Sequence, residues 1–153
     1  MTTQCRSGPG TAASAWQDAT LERTYPGRID QGQQVRAALR SFLDDCPVAD
    51  EVIAGVWELA ANACRFSSSK LPGGQFAITA YDFTGDYVYA EVRDQGGTWN
   101  ADLGTAAAWP HGLYLVQQIA ATYGAAGGRC GWIIWFTVNY PAAAPVSALR
   151  KAS

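Results

Sequence analysis

Residues 49–66 read ADEVIAGVWELAANACRF, and the rest of the chain is most easily understood from them. A helix turns about 100° per residue, so this string sorts its side chains onto two unlike faces. Val52, Ile53, Val56, Ala60, Ala63 and Cys64 form an apolar arc. Opposite them, Glu51, Glu58, Asn62 and Arg65 fall in one stripe, with the small residues Ala54, Gly55 and Ala61 beside it. A solvated helix face also carries charges. This one stacks a carboxylate, an amide and a guanidinium in register, next to residues small enough to admit a ligand.

Upstream, residues 21–25 read as a short extended piece that ends at Pro26-Gly27. Asp30 then stands where an N-cap would satisfy the first free N–H groups of a helix. Val35, Leu39, Phe42, Leu43 and Cys46 recur at spacings of three and four, which puts them on one face of that helix, and Pro47 closes it. Downstream, the turn at 71–74 leads into residues 75–83, where alternation predicts a strand. Thr84-Gly85-Asp86 forms a hairpin turn, and residues 87–93 continue as a second strand that runs straight into Asp94-Gln95-Gly96-Gly97. Residues 98–110 show no period. Residues 112–123 then read as a helix with Leu113, Val116, Ile119 and Ala120 on its core side, ended by Gly124, Gly127 and Gly128. Residues 132–138 are apolar or aromatic in almost every position, as expected for a strand buried on both faces or packed beneath the helices, and Pro141 stops it. This order predicts an α+β fold, a two-layer sandwich with helices on one face of a mostly antiparallel sheet.

The 153 residues suit a single domain. Residues 1–20 read as a mobile leader, 21–140 as the domain and 141–153 as a tail. A hydrophobic share of 48% against 16% charged residues is enough to bury a core and excludes a disordered chain. Eleven basic and thirteen acidic residues give a net charge of −2, which supplies little drive toward nucleic acid. No apolar run reaches membrane-helix length and the first twenty residues lack a secretory core, so a cytoplasmic location without membrane association is expected. The four cysteines form no C-x-x-C pair and are expected as free thiols.

The chain holds one histidine and no H-E-x-x-H, G-x-S-x-G or Walker-type motif, which removes most protease and P-loop chemistry. Three places remain: the Glu58/Asn62/Arg65 stripe, the Asp94–Gly97 loop, and His111-Gly112-Leu113 at a helix start. In this order they resemble the N, G1 and G2 boxes of the GHKL ATPase superfamily, which has the Bergerat nucleotide fold. The segment Glu58-Leu59-Ala60-Ala61-Asn62-Ala63-Cys64-Arg65-Phe66-Ser67 is similar to the N box of bacterial anti-sigma-factor serine kinases. The likeness extends from about Tyr25 to Val138.

That resemblance implies ATP and Mg²⁺ as cofactors. It makes Asn62 the magnesium ligand, a hard oxygen suited to that ion. Glu58 becomes the general base that takes the proton of an attacking hydroxyl, whereas a plain surface carboxylate would be paired with an arginine. Arg65 would help to neutralise phosphate. Asp94 becomes the acceptor that reads the adenine amine, and Gly96 the bare backbone against which the ring lies. Gly112 and Leu113, after His111, form the phosphate-binding helix start. The implied activity is an anti-sigma-factor-type protein serine/threonine kinase that binds a sigma factor and phosphorylates a STAS-type anti-anti-sigma partner, with room for a homodimer and no direct nucleic-acid contact. The chain departs from the family pattern at Thr98, at Pro110-His111, at Phe66 in place of the N-box histidine, and at Ile133, aligned where relatives carry a threonine beneath the adenine. Those departures motivate the alternative: a degenerate regulatory module that keeps the fold and binds a partner with little or no ATP turnover.

Overall fold

The structure, a computed structural model, describes residues 19–96, 112–128 and 130–142. Within these the chain runs β1 (Ala19–Pro26), a 3-10 turn (Ile29–Gln31), α1 (Gly32–Phe42), α2 (Ala49–Phe66) and a second 3-10 turn (Ser68–Lys70). It continues through β2 (Gln75–Phe83), β3 (Tyr87–Arg93), α3 (Gly112–Ile119), β4 (Thr122–Gly128) and β5 (Gly131–Asn139). The strands form one sheet in the order β1-β2-β3-β5-β4, each neighbouring pair antiparallel. The α+β sandwich expected from the sequence is therefore present, with one strand more than the pattern predicts.

Alternation along the strands builds the core. Phe76, Ile78 and Ala80 of β2, Val88, Ala90 and Val92 of β3, and Ile134, Phe136 and Val138 of β5 are all buried toward the helices. From above, α2 contributes Val52, Ile53, Val56, Leu59, Ala60 and Ala63, while α1 and α3 pack at its sides with Val35, Leu39, Leu113 and Val116. Each large side chain buried in this way stabilises the fold by roughly 1.5–3 kcal/mol before entropy is counted. The predicted apolar arc of α2 is thus the central layer of the core.

Several expectations need correction. β1 begins at Ala19, inside the stretch read as a leader, because residues 19–26 pair with 75–82 of β2 along their whole length. Asp30 does not cap α1. It sits in the 3-10 turn, where its carboxylate takes hydrogen bonds from Arg28 (3.1 Å) and Gln31 (3.0 Å). α1 ends at Phe42, ahead of Pro47, with Leu43 as its C-cap. The helix expected over 112–123 stops at Ile119, and Thr122–Gly128 forms the edge strand β4. Its sequence, TYGAAGG, offers neither alternation nor β-branched residues beyond Thr122, so only its pairing with β5 makes it a strand.

The expected set of free thiols holds at Cys46 and Cys64. It fails at Cys130, which is disulfide-bonded. No helix among the described residues is long and apolar enough to cross a membrane.

Candidate functional site

The end of α2 and the turn after β3 are latched together. Past its C-cap, Ser67, the chain enters the second 3-10 turn, and there the Ser68 N–H donates to the Gly96 carbonyl at 2.7 Å. The Gln95 N–H donates in return to Ser69 Oγ at 3.0 Å, and the Gln95 side-chain oxygen accepts from the Gln75 N–H at 3.0 Å. Ser67 Oγ closes the arrangement, accepting from the Ser69 N–H at 3.1 Å and donating to the Ala63 carbonyl at 2.7 Å. The C-terminal end of α2 is thus tied to the turn that follows Asp94.

Asp94 is 5% exposed and ordered by backbone donors. Its Oδ1 accepts from the Gly96 N–H at 2.7 Å, an Asx-type turn, and from the Trp132 N–H at 3.2 Å. The Asp94 N–H returns to the Trp132 carbonyl at 2.9 Å, so the acid is fixed by the same pairing that joins β3 to β5. Gly96 has φ +74°, a conformation that favours glycine, and is itself buried.

On α2, Glu58 and Asn62 are one turn apart, about 6 Å along the axis. Glu58 is half-buried and makes neither a hydrogen bond nor an ion pair among the described residues, so the arginine partner of a plain surface carboxylate is not found. Asn62 does not share an exposed stripe with its neighbours. It is 3% exposed, and its amide finds no hydrogen-bond partner among the described residues. Buried amides are nearly always paired, so such a group calls for a partner from outside the chain: a water, an ion or a ligand. Arg65 is exposed at the last turn, beside the exposed Phe66 ring.

Leu113 is 1% exposed and belongs to the core, so only its backbone could meet an anion at the start of α3. His111 lies outside the described residues, as do Gly97, Thr98 and Pro110. Among the described residues no group of three or more His, Cys, Asp or Glu side chains could hold a metal ion. An ion here would need ligands from a phosphate.

Two expectations about neighbours change. Gly55 does not leave room for a ligand: a Cβ there would lie 2.7 Å from the Phe136 ring and 3.1 Å from Ile119, so its smallness serves the packing of α2 on the sheet and α3. Ile133 does not lie beneath Asp94 either. The burial alternation of β5 turns Ile134 toward the helices and Ile133 toward the opposite face, where it pairs with Arg93. The β5 residue that meets the acid is Trp132, through its backbone.

The two surface clefts described lie elsewhere. One runs between the end of β1 and the 69–75 turn, past Arg28 and Lys70, and shares Ser69 with the latch. The other lies along β1, β2 and β3, past Glu22, Thr79 and Glu91. Neither includes Glu58, Asn62 or Asp94. In comparisons with known proteins, the chain matches no family model and no curated protein.

Proposed function

We propose that this chain binds ATP with Mg²⁺ in a Bergerat-type pocket and acts as a protein serine kinase of the anti-sigma-factor type. In this reading it holds a sigma factor and phosphorylates a STAS-type anti-anti-sigma partner. The observation that carries the proposal is Asn62, a buried amide with no partner among the described residues, on the helix whose end is latched to the Asp94 turn. Leaving such a group unsatisfied costs roughly 1–3 kcal/mol, which a bound ligand would offset.

Magnesium takes few protein oxygens and completes its shell with phosphate and water, which suits a single amide better than a cage of carboxylates. When bound, the ion neutralises phosphate charge during in-line transfer. Asn62 would hold it through the side-chain oxygen. Glu58, one turn earlier and without a competing partner among the described residues, would accept the proton of the attacking serine hydroxyl. Asp94 would accept from the exocyclic amine of adenine, and guanine offers no donor at that position. Gly96 would let the ring lie against bare backbone. The N–H groups at the start of α3, Gly112 and Leu113, would meet the phosphates, with His111 just before them and Arg65 adding positive charge.

A second reading, the regulatory module without turnover, draws on the acid being already engaged, its Oδ1 accepting from the Gly96 and Trp132 N–H groups. Calorimetry on the full chain separates the outcomes. Saturable heat with Mg²⁺-ATP that is lost in Asp94→Asn and weakened in Asn62→Ala supports the pocket. No heat, with the variants behaving as the parent, removes it. Transfer of the γ-phosphate to a partner serine that stops in Glu58→Ala, with nucleotide binding kept, supports the kinase. Partner capture indifferent to ATP, to Glu58→Ala and to Asn62→Ala supports the module.

A further inference from the structure

The sheet face turned away from the helices holds a trough along β2. Burial alternates on this strand, so Phe76, Ile78 and Ala80 face the helices while Ala77, Thr79 and Tyr81 face outward. Cross-strand partners share a face, and the register sets the outward residues in rows. Thr24–Ala77–Arg93 comes first, Glu22–Thr79–Glu91 next and Thr20–Tyr81–Tyr89 after it. The floor is therefore made of the small Ala77 and Thr79, with charged residues of β1 and β3 on either side. The first rows and Tyr81 bound a cleft of about 450 Å³, a size suited to a small molecule.

Charge is sorted by sign along this trough. Glu22 and Glu91 flank Thr79, with roughly 10 Å between their backbones. Neither carboxylate is in an ion pair among the described residues, and neither is Arg93. Glu91 Oε2 accepts from the Tyr89 hydroxyl at 2.6 Å, which fixes the carboxylate through one oxygen. Burial, and then the bond to Glu91, push the Tyr89 phenol above its ordinary range, so it remains the donor. Arg93 stands one row away, roughly 7 Å along β3 from Glu91. Tyr81 stands at the opposite end, its ring stacked on Tyr89 at 5.6 Å. Arg23 also borders the cleft, with Nη1 donating to the Glu22 carbonyl at 2.8 Å.

We propose that this trough binds a small guanidino acid of the free-arginine type, with its guanidinium between Glu22 and Glu91 above Thr79 and its carboxylate against Arg93 and the Thr24 hydroxyl. A guanidinium is planar and presents donors on more than one edge, so it can meet a carboxylate on each side. Its face is also attracted to an aromatic ring such as that of Tyr81. Extended arginine separates its guanidinium carbon from its carboxylate carbon by roughly 7 Å, the step from the glutamate row to the Arg93 row. A plain cation would leave Arg93 without a counter-charge, and a plain anion would be repelled by the two carboxylates. A ligand charged at both ends answers both rows.

Calorimetry on the full chain, with L-arginine, agmatine and L-citrulline as probes, tests the assignment. Saturable heat with L-arginine is expected. Affinity should fall about tenfold for agmatine, which lacks the carboxylate, and about tenfold or more for L-citrulline, which lacks the guanidinium charge. Glu22→Gln and Glu91→Gln should each weaken L-arginine about tenfold with unchanged circular dichroism. Arg93→Gln should bring L-arginine down to the affinity of agmatine without weakening agmatine itself. No saturable heat at millimolar L-arginine, equal affinity for L-citrulline, or variants that bind as the parent overturns the proposal. Tighter binding of a peptide ending in arginine than of the free amino acid overturns the small-molecule assignment. No nucleotide enters the measurement, so failure of the ATP pocket leaves its outcome unchanged.

Discussion

A Cβ placed on Gly131 would stand 2.6 Å from the carbonyl oxygen of Asp94, so the first residue of β5 is the floor on which the acid's backbone rests. Its φ of +155° is also a conformation that L side chains rarely adopt. Gly131→Ala is expected to cost roughly 1–3 kcal/mol, read as a lower midpoint in urea unfolding. On the proposed function, it should also weaken nucleotide binding, because the displaced residue carries the adenine acceptor.

Asp94 itself should separate shape from charge. Asp94→Ala leaves the Gly96 and Trp132 N–H groups without their acceptor, at a cost of roughly 1–3 kcal/mol for each buried donor. Asp94→Asn keeps an oxygen in place and should lose less. Denaturant midpoints should therefore fall in the order parent, Asn, Ala, whatever the ligand.

Gly55→Ala sets two effects against each other. Alanine gains about 0.8–1.0 kcal/mol of helix propensity over glycine. The added methyl, however, would meet the ring of Phe136, which is fully buried and has nowhere to turn. Overpacking of that kind costs roughly 1–3 kcal/mol, so net destabilisation is expected in thermal melts.

Burial pushes the Cys64 thiol up to about 11, against an ordinary value of 9.0, with Arg65 pulling it down and Asp30 adding to the rise. The folded state favours the protonated thiol. Its contribution to stability is therefore complete below pH 9 and is lost as the pH climbs toward 11. Cys64→Ala should flatten the alkaline fall in unfolding free energy over that window. In the native protein at pH 8, Ellman's reagent should modify Cys64 far more slowly than it does after unfolding in guanidinium chloride.

The sequence made α2 legible because eighteen residues carry one period without interruption, and the β2–β3 hairpin was equally clear from alternation around Thr84-Gly85-Asp86. β4 was not, since Gly and Ala carry no strand signal and its conformation is imposed by Gly128↔Gly131 and the pairs that follow. Asn62 was placed on the correct helix but its burial was missed. A helical wheel counts angle alone, whereas α2 is covered by the sheet and also by α1 and α3, so more than one of its faces is buried. Asp94 was recognisable from its position before Gly96, but the role of Trp132 was not, because a backbone donor from thirty-eight residues away leaves no mark in side-chain identity. The meaning of Gly55 was misread for a related reason: a small residue on a helix looks the same whether the space beside it is filled by Phe136 or left open.

The acid at the end of β3 owes its bearing to two main-chain amides and a strand register. Side-chain substitutions that leave this register in place should leave those two amide contacts to the carboxylate unchanged. The acid's heading is thus set in part by the way the sheet is woven.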